Sequence, residues 1–198
     1  GLPAHTGHAP EGDPVELLAQ RSATFGDQRL LLDISTPTFK GASRIEASFL
    51  AGDQRRFYVI CPHCGHHQIL LWDRVRWAKD EEGADLPETA RYHCDNHDPE
   101  TGEVHCVATW TDGERVAAIR QAEALGAGWK ASRPFRGHAS YHLNELYSCF
   151  RKLREIVQSF QDKKAENDLQ SCVNFSLAER WEEHGSEADA GSIAVRAE

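Results

Sequence analysis

Residues 61–106 constrain this chain more than any other stretch, because four of its six cysteines and six of its eleven histidines fall there. The first pair, Cys61-Pro62-His63-Cys64-Gly65, sets two thiols either side of two residues and follows them with a glycine. Such a turn can aim both thiolates at one cation about 2.3 Å away, and the glycine permits the backbone geometry that points amide hydrogens at the sulfurs. A tetrahedron needs two more ligands. Cys94 ends a short strand-like run, Ala90–His93, and is the expected third ligand. Two residues compete for the fourth. His97 would give Cys-x-x-His with suitable local spacing; Cys106 closes the site if 95–105 forms a loop containing Pro99 and Gly102, and four sulfurs suit a ribbon of paired hairpins slightly better. Four protein ligands leave no open position for water, so the expected centre is structural zinc (Zn2+). His63, His66 and His67 are then solvent-facing neighbours.

Six cysteines could instead be paired as disulfides in a secreted protein. The N-terminus, GLPAHTGHAPEGDP, has neither the basic start nor the apolar run of a signal peptide, and no stretch approaches the roughly 20 apolar residues that span a bilayer. Metal in a cytoplasmic chain is the better expectation. With 198 residues, 40% hydrophobic and 27% charged, the chain has the composition of an ordinary globular protein. Its net charge of −9 argues against holding nucleic acid by bulk electrostatics and leaves room only for a local basic strip. Most of that acidity sits in residues 61–128, which carry six basic and thirteen acidic side chains. The absence of methionine and the first residue, Gly1, suggest a piece of a longer protein.

The flanks read as α/β. Asp13, Pro14 and Glu16 form a helix start, with a helix towards Phe25 stopped by Gly26. Leu30-Leu31-Leu32-Asp33-Ile34 is an apolar run expected to be a buried strand, closed by Ser35-Thr36-Pro37-Thr38. Ser43 and Glu46 predict a second helix carrying Ile45, Phe49 and Leu50 and ending at Gly52. Residues 57–60 are a strand entering Cys61, with 68–72 as hairpin partner. Thr111 and Glu114 open a short helix with Val116 and Ile119, stopping near Gly126. A strand is expected over 139–143. Helices are expected over 149–165, with Phe150, Leu153, Val157 and Phe160 on one face, and over 168–182, with Leu169, Cys172, Val173, Leu177 and Trp181 on one face. Residues 185–198 read as a tail.

Taken in order, EGDPVELL, LLLDISTPTFKGASRIEASF, DQRRFYVICPHCG, LLWDRVRW, SYHLNELYS and VNFSLAERWEE resemble the large subunit of the GpA-type bacteriophage terminase, from about residue 11 to about 183. The resemblance implies a P-loop ATPase-type sheet, an inserted zinc-ribbon-like β module and a C-terminal helical pair. It divides the chain into residues 1–55 (end of the ATPase core), 56–130 (zinc-binding insertion), 131–184 (returning strand and helices leading to a nuclease) and 185–198. Ser35, Thr36 and Pro37 match the family's coupling motif, which senses the γ-phosphate, and Cys61, Cys64 and Cys94 match its zinc insertion. Lys40, Arg44, Arg55 and Arg56 stand in matching basic segments, where phosphate contact competes with plain surface charge. For the full-length protein the resemblance implies a hydrolase, both ATPase and endonuclease, using ATP and Mg2+. Its implied partners are double-stranded viral DNA, a terminase small subunit and a portal protein, in a homo-oligomeric motor in the host cytoplasm.

The sequence contains no G-x-x-x-x-G-K-[ST], the loop that cradles phosphates. Glu182 and Glu183 are adjacent and would diverge on a helix. The chain alone is therefore expected neither to hydrolyse ATP nor to cut DNA. The alternative is a stand-alone zinc-ribbon adaptor for nucleic acid or protein, to which the net charge of −7 over residues 61–128 is unfavourable. Trp72, Trp77, Tyr92 and Trp110 could stack on bases, although core packing is the better expectation.

Overall fold

In the computed structural model of the protein, the described residues are 14–38 and 43–181. They fall into two compact units, 1–34 and 35–198. In the first, α1 (Pro14–Arg21) is followed by a 3-10 segment (Ala23–Gln28) broken at Gly26, whose φ of 54° with ψ of −130° is a combination that favours glycine. Asp13, the expected cap, lies outside the described residues, as do Lys40 and the tail. The strand expected over 30–34 does not form: Leu30 is 87% exposed and Ile34 85%. An apolar run becomes a buried strand only when neighbours take its backbone hydrogen bonds and cover its side chains. No described strand pairs with it.

The second unit begins with α2 (Arg44–Ala51), where Ser43 caps by accepting the Glu46 amide and Gly52 ends the helix, as the spacing predicts. Gly52 is required by close approach, since a Cβ there would lie 2.3 Å from Ser140 Oγ. Next come β1 (Arg55–Ile60), β2 (His67–Gln68), β3 (Val75–Lys79), β4 (Asp85–His93) and β5 (Thr109–Trp110). Helix α3 (Asp112–Gln121) starts with a capping box, Thr111 N–H donating to Glu114 and Glu114 N–H to Thr111 Oγ1. It leads to β6 (Gly128–Ala131), β7 (Tyr141–His142), α4 (Leu153–Ala165) and the short α5 (Leu169–Ser171), which runs on as a π turn over Cys172–Ser176.

The strands build two small sheets in a mixed α/β fold. Around β1, β6 and β2 pair antiparallel and β7 pairs parallel; β3, β4 and β5 form an antiparallel meander. The hairpin partner expected over 68–72 is a strand only as far as Gln68. Beyond it two tyrosine hydroxyls and an amide replace the ladder: Leu70 N–H donates to Tyr147, Leu71 N–H to Tyr92, and Asn144 Nδ2 donates to Leu70 O. The expected helix over 149–165 starts at Leu153 because Ser148 Oγ captures the amides of Phe150 and Arg151 in a turn, which leaves Phe150, expected on the apolar face, 95% exposed. The helix expected over 168–182 ends at Ser176, where Leu177 N–H reaches back to Cys172 O and Ala178 takes φ 54°. One core runs through the unit. Val59, Val75, Tyr92 and Trp110 join Leu146, Leu153, Ile156, Val157 and Phe160 of the later segment, and the four candidate stacking aromatics all pack into or against this core.

Candidate functional site

Local hydrogen bonding shapes two facing turns. At the first, Gly65 N–H donates to Cys61 O, Cys61 N–H donates to His66 O, and Gly65 takes φ 75°. At the second, β4 delivers Cys94, whose N–H donates to Ala108 O. Residues 95–105 loop out and return. Asp98 Oδ1 accepts the amides of Glu100 and Thr101, Gly102 turns the chain at φ 74°, and His105 and Cys106 N–H both donate to Asn96 O. This brings Cys106 opposite Cys94.

The result is one cluster. The sulfurs of Cys61, Cys64, Cys94 and Cys106 all lie within 4.8 Å of one another, with Cys64 Sγ 3.7 Å from Cys94 Sγ. Cys61 and Cys94 are buried, Cys106 half-buried and Cys64 exposed. The amides of His66, Asn96 and Ala108, each two residues on, point at the sulfurs of Cys64, Cys94 and Cys106. Gln68 clamps the pair of turns, donating to Cys94 Sγ at 3.5 Å and accepting the Asp95 amide at 2.7 Å. Asn96 Nδ2 donates to Cys64 Sγ at 3.7 Å. Burial pushes the Cys64 thiol up, but the His66 amide and then Cys61, Asn96 and Cys106 outweigh it, leaving the group lowered to about 7. At Cys94 burial prevails and the thiol is raised.

His97 stands apart from this group. Its Nδ1 lies 2.8 Å from its neighbour Asp95 O and 3.0 Å from Arg74 Nη2. His63 faces solvent and pairs with Glu114 at 3.2 Å. Ser35 is exposed, Thr36 half-buried and Pro37 buried, and Thr38 O accepts the Trp181 amide at 3.0 Å. Arg55 is held by buried Asp53 at 2.8 Å, while Arg56 faces His142. Sequence reasoning missed Gln68 and Arg115. The second is a fully buried arginine of α3 whose guanidinium donates to the carbonyls of Leu146, Ser148 and Arg151 and to Asp112 Oδ1. Neither carries a local signal: Gln68 stands as one polar residue of an expected strand, and a cationic residue such as Arg115 on a short helix reads as surface charge.

Residues 4–129 match the family profile described as phage terminase large subunit gpA, ATPase domain, and residues 138–198 match terminase large subunit gpA, endonuclease domain. Among curated relatives, the terminase large subunit of Enterobacteria phage P21 is 32% identical over 75% of this chain and 24% of its own length. That of Escherichia phage lambda is 27% identical over 89% of this chain and 30% of its own length. The chain thus spans about a quarter to a third of these relatives. No solved structure matches it significantly. The second match begins within the stretch expected to lead towards the nuclease, and α4, which it includes, packs on β4, the strand that leads into Cys94. The chain belongs to the GpA family of phage terminase large subunits.

Proposed function

We propose that this chain is the join between the motor and the nuclease of a DNA-packaging terminase, held in shape by structural zinc at Cys61, Cys64, Cys94 and Cys106. The observation that carries the reading is that both domain profiles match consecutive parts of one chain and that segments from both matches pack into the single core of its second unit. Zinc fits the four thiols. A tetrahedron with metal–sulfur bonds of about 2.3 Å sets its sulfurs about 3.8 Å apart, close to the 3.7 Å between Cys64 and Cys94. Bound there, the ion would supply cross-linking and charge neutralisation. Gln68, Asn96 and the three amides would orient the sulfurs, and the β2 and β4 ends would form a zinc-ribbon-like module within the residue 56–130 insertion.

In the full-length protein, ATP hydrolysis with Mg2+ would drive viral DNA into a capsid through a portal, with a small subunit selecting the site and an oligomeric motor working in the host cytoplasm. Ser35-Thr36-Pro37 would be the coupling segment, passing the nucleotide state to the core through the Thr38–Trp181 hydrogen bond. The exposed apolar run 30–34 would be a strand of the motor's P-loop-type sheet, whose other strands the relatives' additional length would supply. This chain alone would neither turn over ATP nor cut DNA. The adaptor reading is disfavoured by the two domain matches.

The test compares DNA-stimulated ATP hydrolysis and DNA cleavage by the full-length protein and by the 198-residue chain. Activity of the first with inactivity of the second is expected. Turnover by the chain alone, or none by the full-length protein given DNA and its small subunit, would refute the reading.

A further inference from the structure

One face of the β1 sheet collects positive charge and draws no carboxylate to it. Arg56 and Lys130 are direct cross-strand partners in the β1–β6 ladder, and like charges placed opposite one another destabilise a sheet. In a chain with 31 acidic side chains, each would be expected to find a carboxylate. Their partners are imidazoles and aromatic rings instead. Arg56 Nη1 lies 3.5 Å from His142 Nδ1, with its guanidinium 6.0 Å from the Phe49 ring centre. Lys130 Nζ lies 3.2 Å from His67 Nδ1 and 5.2 Å from the Tyr58 ring centre. Among the described residues, no carboxylate oxygen comes within 4 Å of either cation.

The surrounding sequence extends the pattern. Residues 124–144 contain Lys130, Arg133 and Arg136 and no Asp or Glu. They are the local basic strip of an acidic chain. Beyond β6 the strip runs through an exposed loop, where Arg133, Arg136 and His138 line a cleft of about 320 Å3 against Gly52 at the end of α2. Asp53 fixes this loop from beneath, its carbonyl accepting the Ser132 and Arg133 amides and its carboxylate the Ser140 amide. Its charge is spent on that amide and on Arg55.

We propose that this face, from Lys130 and Arg56 along β6 to Arg136, binds the phosphodiester backbone of double-stranded DNA between the ATPase-matched and nuclease-matched segments. The assignment rests on the terminase reading for its choice of polyanion. A row of phosphates supplies the anions the fold withholds: it would relieve the Arg56–Lys130 repulsion and leave the bases unread.

The experiment measures binding of a random-sequence duplex by the 198-residue chain, by fluorescence anisotropy over a salt series, for wild type, Lys130→Glu/Arg136→Glu and Lys164→Glu, the last on exposed α4 surface. The double variant is expected to weaken binding at least about tenfold and to flatten the slope of log K against log salt by roughly two, since each phosphate that a cation neutralises adds nearly one to that slope. Lys164→Glu should leave both unchanged. Circular dichroism checks folding, and Lys130→Gln/Arg136→Gln replaces the double variant if charge reversal unfolds it. No binding by the wild-type chain, an unchanged slope in the double variant, an equal loss in Lys164→Glu, or equally tight binding of polyglutamate would overturn the assignment. None of these touches ATP turnover by the full-length protein, which tests the terminase reading separately.

Discussion

Replacing Arg115 with methionine keeps most of its volume and removes all of its hydrogen bonding. The wild-type guanidinium has no solvent exposure and serves four acceptors, Ser148 O at 2.9 Å, Arg151 O at 2.7 Å, Asp112 Oδ1 at 3.0 Å, and Leu146 O. Asp112 is one-third exposed and also accepts the Leu153 amide, so its loss is partly made good by water and by that bond. The carbonyl of buried Leu146 has no such relief, and those of half-buried Ser148 and Arg151 have it only in part. Stranding them costs about 1–3 kcal/mol each, and breaking a buried charged cluster costs about 3–5 kcal/mol in total. Against a typical stability of about 5–15 kcal/mol this is a large fraction. With a urea m-value of about 2 kcal/mol/M the midpoint should fall by about 2 M. Tryptophan fluorescence reports the transition, since Trp110 is fully buried. Arg115→Lys, a single ammonium facing acceptors on several sides, should lose about half as much. A methionine variant within about 0.5 M of wild type, or a lysine variant equal to it, would refute the claim that this side chain fastens α3 to the 146–151 turn.

Three further outcomes follow. The chain should hold about one zinc by elemental analysis, and Cys94→Ser should abolish it and expose α4 to hydrogen exchange, because α4 packs on the strand that leads into Cys94. Gly52→Ala should destabilise by about 1–3 kcal/mol, since its methyl would drive into Ser140, and Ser140→Ala in the same chain should recover part of that loss. The hydrogen bond from Arg55, set against burial and aided by the Ser140 amide, holds the Asp53 carboxyl below the ordinary carboxylate range. Its folded form binds a proton less readily than its unfolded form, so its stabilisation is present above about pH 4 and fades as pH falls below it. The deficit of Asp53→Asn, measured by denaturation at neutral pH, should therefore shrink in acid; a constant deficit would rule out the linkage.

Short-range chemistry was readable in the residues. Ser43 with Glu46 and Thr111 with Glu114 cap the helices their spacing predicts, because a side-chain cap is complete within four residues. The thiol cluster was readable for the same reason at each half, Cys61 with Cys64 and the turn at Cys94. The choice between His97 and Cys106 was not, since it depends on how Asp98 and Gly102 turn the loop. Distant partners left no trace. Nothing around Ile69–Leu71 signals that Tyr92 and Tyr147 will take its backbone groups, and Leu30–Ile34 has the hydropathy of a buried strand whether or not neighbours stand beside it. Arg115 was hidden by its type, because burial of an arginine depends on carbonyls more than 30 residues away.

The hydrogen bond between Thr38 O and Trp181 N has a mechanical meaning. It joins, at 3.0 Å, a residue before α2 to one after the π turn, so a load applied between residues 38 and 181 meets that clip before it reaches the sheets. While the clip holds, the cysteine module hangs beside the line of force and is not stretched by it. If it opens, tension passes to the parallel contact of β7 with β1, which is loaded in shear. Strain would then be carried around the cysteine module and not through it.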